Sequence, residues 1–215
     1  MELAIQIGIL IVSYLLGSIP TGLLLGKMKG IDIRNHGSKN IGSTNVGRVL
    51  GRKYAIITYM VDMFKGAIFV ALFRYGIIDE KYCLLHPLLY GLAAAIGHTS
   101  SIYLKFRGGK AVATSSGVLF AYCPWAMIPT VLVFFLTTYL TSYVSAGSIA
   151  GCIVTLILSI VLASVGKDPF LNYSYNFYFP LFIGIITLLV IIRHKSNITR
   201  IINKTEAKVK WGLKK

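Results

Sequence analysis

Seven apolar runs set the terms for this chain: Leu3 to Leu25, Tyr54 to Phe73, Leu84 to His98, Ala111 to Tyr122, Trp125 to Leu140, Ser145 to Val165 and Phe177 to Arg193. A helix needs about 20 mostly apolar residues to cross a hydrocarbon layer ~30 Å thick, because each residue rises ~1.5 Å. Composition agrees with a lipid solvent: 55% hydrophobic residues against 13% charged leave too little polar surface for a water-soluble globule. The expected fold class is all-α, a polytopic integral membrane protein with seven transmembrane helices in a single membrane-embedded domain over residues 1–215. The fourth run is too short to cross unaided, and only Cys123-Pro124 separates it from the fifth. One tilted helix over Ala111 to Leu140 would give six spans instead. Met1 and Glu2 precede the first run without a basic region or a small-residue cleavage pattern, so that run is expected to persist.

Charge decides between seven and six. With seven spans, one side of the membrane receives the cations of Lys27 to Lys53, Lys105 to Lys110 and Arg193 to Lys215, eighteen in all, and the other only Arg74, Lys81 and Lys167. Lys and Arg collect on the cytoplasmic side, so the amino terminus is expected outside and the carboxyl terminus in the cytoplasm. Six spans would put the tail cluster on the wrong face. The net charge of +15 predicts anionic partners. Phosphorylated metabolites and lipid headgroups fit better than nucleic acid, because the basic residues lie between apolar spans. Cys83, Cys123 and Cys152 have no metal-ligand spacing and read as small buried hydrophobes. No carboxylate-histidine cluster indicates a metal.

Three polar clusters fall in cytoplasmic connections. The first runs from Arg34 through Gly37, Ser38, Asn40, Gly42, Thr44 and Asn45 to Arg48. Glycines that turn amides inward, hydroxyls and flanking cations describe a phosphate cradle. It is not a nucleotide P-loop, since Ser43 stands where that spacing needs Lys. The second is Gly97-His98, then Lys105 to Lys110 with Gly108 and Gly109, opening a helix at Ala111 to Thr114. Amides, helix dipole and a full charge there favour an anion. The third is His194, Asn197 and Arg200, which share a face if helix continues past the last span. Two further features lie inside spans. The break Gly17 to Gly22 reads as a kink or close packing, or as an opened turn lining the site. Asp62 and Lys65, one turn apart, read as an ion pair of structural or functional use.

In this order and spacing the clusters resemble the signature of the bacterial acyl-phosphate:glycerol-3-phosphate acyltransferases, the PlsY family. The first motif is matched from Gly37 to Arg48, the second from Gly97 to Thr114 and the third, His-x-x-Asn-Ile-x-Arg, from His194 to Arg200. Asp62 with Lys65-Gly66, and Tyr143-Val144-Ser145 to Ser148, extend the match. The chain departs from the pattern at Arg107 for lysine, at Ala111 and Lys204 for glycine, and at Thr141 and Ser142 for basic residues. The resemblance implies transfer of a fatty acyl group from acyl phosphate to the sn-1 hydroxyl of glycerol 3-phosphate, giving lysophosphatidic acid and phosphate, the first step of bacterial phospholipid synthesis.

The same resemblance implies the roles. Ser38, Arg48 and Lys110 hold phosphate, and His194 and Asn197 orient the attacking hydroxyl or polarise the carbonyl. Gly37, Asn40, Gly42, Thr44, Asn45, His98, Gly108, Gly109, Ser148 and Arg200 complete the substrate-binding set. It implies no cofactor, no metal, no protein general base, a bilayer partner, a monomer, and a multi-pass protein of the bacterial inner membrane with its active site facing the cytoplasm. No histidine is followed five residues later by aspartate, so the motif of the acyl-thioester-dependent enzymes is absent. A carrier for an organic anion or phosphate is the rival reading. It predicts mid-bilayer polar groups and matching halves, which the sequence lacks beyond Asp62 and Lys65. A scaffold for anionic lipid would need the cations but not Asn40, Asn45, His194 or Asn197.

Overall fold

The computed structural model describes residues 2–78, 85–168 and 173–213. Expectations attached to Met1, Lys81, Cys83, Leu84, Lys214 and Lys215 lie outside the described residues. The regular elements among the described residues are all helical, and one isolated bridge joins Lys167 and Ser174. Contacts divide the chain into two compact units, Met1–Tyr122 and Cys123–Lys215.

The first unit holds α1 (Glu2–Ser18), α2 (Thr21–Met28), α3 (Ser43–Leu50), α4 (Arg52–Arg74), α5 (Pro87–Thr99) and α6 (Val112–Tyr122). The first expected span is broken: α1 and α2 meet at 42° across Ile19-Pro20, where proline has no amide hydrogen to donate. Here α1 packs on α5, and α4 packs on both α5 and α6. Small residues let the backbones touch, the usual device where lipid supplies no hydrophobic drive between helices. A Cβ on Gly17 would meet the Ala94 carbonyl at 2.2 Å, and one on Gly66 the Thr114 carbonyl at 2.0 Å. The break therefore combines a kink with close packing.

The second unit holds α7 (Met127–Thr141), preceded by a 3-10 turn at Pro124–Ala126, then α8 (Val144–Val165), α9 (Tyr178–Arg193) and α10 (Lys195–Ile202). Residues 111–140 are thus not one helix: α6 ends at Tyr122 before Cys123-Pro124. The neighbours α7 and α8 share a Thr130–Thr155 hydroxyl contact of 2.9 Å. The connection from α8 to α9 is tied at Asp168, which accepts from the Trp125 indole at 3.2 Å and from the Tyr175 hydroxyl.

The burial pattern is that of lipid-solvated helices. On α8 the buried positions are Ser145, Gly147, Ser148, Gly151, Thr155, Ser159 and Leu162, while Ile153, Ile157, Ile160 and Val161 are exposed. On α7 the exposed stripe is Ile128, Leu132, Phe135 and Leu136. Large apolar side chains recur at helical spacing on the outside, with small polar ones within. A helix stands in each of the seven expected segments. By length and composition, α4, Pro124–Thr141 and α8 each suffice to cross a membrane, and the bent pairs α1–α2 and α9–α10 suffice together. The α6 helix has 11 residues and α5 has 13, each short of a full crossing.

Candidate active site

The first cluster is organised by Asn45, which is 1% exposed at the start of α3. Its Oδ1 accepts the Ser38 amide at 2.7 Å, and its Nδ2 donates to the carbonyls of Ile33 (3.1 Å), His36 (3.1 Å) and Asn40 (2.8 Å). Asn40 Oδ1 accepts the Gly42 amide at 2.8 Å, an Asx turn. Gly37 has φ +59 and lies so near Asn45 that a Cβ would meet its Oδ1 at 2.4 Å, so any side chain is excluded there. Before the turn, Asp32 accepts the Arg34 backbone amide and pairs with its guanidinium at 2.6 Å. The Arg34 side-chain bonds, followed by its backbone bond and aided by the Arg34 and Lys27 charges, bring the Asp32 carboxyl down to about 2 against the opposing effect of desolvation.

This geometry refines the expected cradle. The Ser38 and Gly42 amides are engaged by Asn45 and Asn40, so those two asparagines shape the loop and spend their polar atoms on backbone. Ser38 is half-buried on the fixed turn, and Thr44 and Arg48 are exposed one turn apart on α3. Beneath the loop, Leu23 of α2 packs with Ile33, Ile41 and Val46. Gly22 lets α2 approach so closely that a Cβ would meet the Ile41 carbonyl at 2.1 Å.

In the second cluster, His98 lies in the last turn of α5 and is 6% exposed. Its carbonyl accepts the Gly109 amide at 2.9 Å. A Cβ on Gly108 would meet that carbonyl at 2.2 Å, and one on Gly109 the His98 Nε2 at 2.2 Å. The two glycines are therefore laid directly on His98, and Lys110 follows, half-buried, ahead of α6. Under His98 stands Asp62, its Oδ1 3.9 Å from His98 Nδ1. The same oxygen accepts from Lys65 Nζ at 2.6 Å and from the Thr21 hydroxyl at 2.9 Å. The expected Asp62–Lys65 pair forms at 2% and 5% exposure, as part of a larger network.

The third cluster differs from a straight helical face. The helix bends by 52° where α9 gives way to α10 at His194. His194 Nδ1 lies 2.8 Å from the Val190 carbonyl, which only accepts, so Nδ1 is the donor in that contact. Asn197 and Arg200 do share a face, and both bind Glu206: Nδ2 of Asn197 donates to Oε1 at 2.6 Å and Nε of Arg200 to Oε2 at 2.7 Å. The Ser145 hydroxyl also donates to Oε1, at 3.1 Å, while Ser148 turns back to the Val144 carbonyl at 3.0 Å. Burial raises the Glu206 pKa, but the bonds from Asn197 and Arg200, the Arg200 charge and the Ser145 hydroxyl outweigh it and hold the carboxyl below its ordinary value. Sequence reasoning passed over Glu206. Its signal was being the one acid among the cations from Arg193 to Lys215.

A family model described as glycerol-3-phosphate acyltransferase matches residues 7–204. The glycerol-3-phosphate acyltransferase of Bacillus subtilis strain 168 is 45% identical over 204 residues, covering 94% of this chain and 97% of the relative. That of Streptococcus pneumoniae strain Taiwan19F-14 is 44% identical over 213 residues, covering 97% and 95%. Two crystal structures of PlsY, an integral membrane glycerol 3-phosphate acyltransferase, are similar throughout. The glycerol 3-phosphate form has a TM-score of 0.81 at 34% identity, covering 95% of each chain. The lysophosphatidic acid form has a TM-score of 0.79 at 33% identity, covering 96% of each. With sequence and fold matched over nearly its whole length, this membrane chain belongs to the glycerol-3-phosphate acyltransferase family, in its PlsY branch.

Proposed function

We propose that the chain transfers a fatty acyl group from acyl phosphate to the sn-1 hydroxyl of glycerol 3-phosphate, releasing lysophosphatidic acid and phosphate. One observation carries the reading: the Asn45-tied turn presents Ser38, and α3 presents Thr44 and Arg48, from a backbone held by the chain's own side-chain hydrogen bonds. Preorganised donors suit two substrates that both carry phosphate. Similar proteins crystallised in glycerol 3-phosphate and lysophosphatidic acid forms support the substrate and product.

The hydroxyl oxygen forms the ester bond to the acyl carbonyl carbon, and the bond from that carbon to the phosphate oxygen breaks. The hydroxyl proton leaves with the departing phosphate. Acyl phosphate is a mixed anhydride, so orientation and charge neutralisation supply much of the rate. Ser38, Arg48 and Lys110 hold phosphate, with Thr44, Gly108, Gly109 and His98 shaping that region and Gly37, Asn40, Gly42 and Asn45 its loop. His194 and Asn197 orient the attacking hydroxyl or polarise the carbonyl, and Arg200 and Ser148 belong to the polar residues of the second unit. The reaction uses no metal or cofactor. The chain acts as a monomer, a single domain over residues 1–215, with seven crossings of the bacterial inner membrane and its reacting groups on the cytoplasmic side.

The test is to mix purified protein with acyl phosphate and labelled glycerol 3-phosphate, without thioester. Lysophosphatidic acid is expected from the native protein, falling at least a hundredfold in folded Lys110→Ala and His194→Ala variants. No product from well-folded native protein overturns the reading, and counterflow of glycerol 3-phosphate in vesicles would replace it with a carrier.

A further inference from the structure

At the break between α1 and α2, proline and the change of direction release carbonyls from the helix ladder, and buried carbonyls need partners. The Ser101 hydroxyl donates to the Ser18 carbonyl at 2.6 Å. Lys65, from the middle of α4, donates to the Ile19 carbonyl at 2.6 Å, to the Thr21 hydroxyl at 2.5 Å and to Asp62 at 2.6 Å. An ammonium has three hydrogens, and these acceptors take all three.

Such a group is a poor device for stability alone. Desolvating two charges costs about what their attraction returns, and a packed apolar pair of similar volume often does as well or better. Its position suggests another use. Thr21 opens α2, whose Gly22 backbone lies on Ile41 and Val46 beside the Asn45 turn. Asp62 lies under His98, on which Gly108 and Gly109 are laid ahead of Lys110. Gly66, next to Lys65, bears on the Thr114 carbonyl in the first turn of α6. One buried cluster thus touches the supports of both phosphate-holding segments of the first unit.

We propose that Lys65 and Asp62 are positioning residues: through Thr21 and His98 they set the placement of the loop carrying Ser38 and Arg48 and of the Gly108-Gly109-Lys110 strap. The inference rests on the phosphate-holding role proposed above for those segments. Neither residue touches substrate, and both act through the elements they hold.

The test uses the full chain in detergent with two variants, the double substitution Asp62→Leu with Lys65→Met and the near-isosteric Thr21→Val. Paired apolar replacement avoids a lone buried charge. The double variant is expected to unfold within a few degrees of the native protein, with KM for glycerol 3-phosphate raised at least tenfold and kcat changed less than threefold. Amide exchange is expected to rise in residues 36–46 and 106–112 while residues 197–206 stay as protected as before. A general stabilising role would move exchange everywhere, or leave KM alone once the protein folds, and either result overturns the proposal. If the double variant does not fold, Thr21→Val decides: a threefold or greater rise in KM is expected, and native KM with native exchange overturns it. If native protein forms no lysophosphatidic acid, the function fails separately. Calorimetric binding of glycerol 3-phosphate then replaces KM, and equal affinity in native and variant proteins sinks the positioning role.

Discussion

At the scale of the residue, six non-glycine positions among the described residues occupy left-handed backbone, Lys39, Lys105, Phe106, Ala111 at φ +59, Ser142 at +66 and Lys204 at +58. Ala111 and Lys204 are the two places where the family resemblance leads one to expect glycine, and the backbone supplies the reason. A left-handed conformation costs an L-residue ~1–2 kcal/mol, and glycine's extra freedom in the unfolded chain returns ~0.5–1 kcal/mol of that. Lys204→Gly, at an exposed helix end, should therefore stabilise the protein by about 0.5–1 kcal/mol. The unfolding midpoint in detergent should rise by about 1–4 °C for a chain of this size. Ala111 has a fully buried methyl. Losing it costs about 0.8 kcal/mol, so Ala111→Gly should leave the midpoint nearly where it is.

Among the elements, the junction of α10 with the following chain is held by a dense set of hydrogen bonds. Lys204 turns the backbone so that the amides of Thr205 and Glu206 both reach the Arg200 carbonyl, at 2.8 and 3.1 Å. Glu206 then closes on Asn197, Arg200 and Ser145. Farther along, the Val209 amide donates to the Ser142 carbonyl at 2.9 Å and that of Leu213 to the Tyr139 carbonyl at 2.7 Å, fastening the tail to the end of α7. The junction should be acid-sensitive. In the unfolded chain Glu206 titrates near its ordinary 4.5, while in the fold its pKa is lower. The unfolded state binds more protons between the two values, so the stabilisation is complete above about 4.5 and disappears as pH falls through the folded value. Scanning the unfolding midpoint from pH 7 to 3 should show an acid-side decline that is shallower in Glu206→Gln.

For the whole molecule, the distribution of cations and the lipid-adapted burial are two independent signs of one environment. Eighteen cations against three set the expected direction of insertion. An impermeant thiol reagent applied to intact cells should label Glu2→Cys in a background without native cysteines and leave Thr205→Cys unlabelled until the membrane is opened. The reverse pattern would invert the topology. The sequence by itself determined the helical class, the seven apolar segments, the break at Cys123-Pro124 and the membership of the three polar clusters. Hydropathy, proline and residue type act over short stretches and are legible locally. Tertiary structure alone decided how those clusters are built: that Asn45 spends its amide on four backbone groups, that His194 ends a helix at a 52° bend, that Glu206 gathers Asn197 and Arg200, and that Lys65 fills the break in the first span. Each depends on how the backbone turns between the partners, over a few residues at Asn45 and Glu206 and over 46 residues from Ile19 to Lys65. Hydrogen-bond geometry is fixed by where the chain returns, which no local pattern encodes.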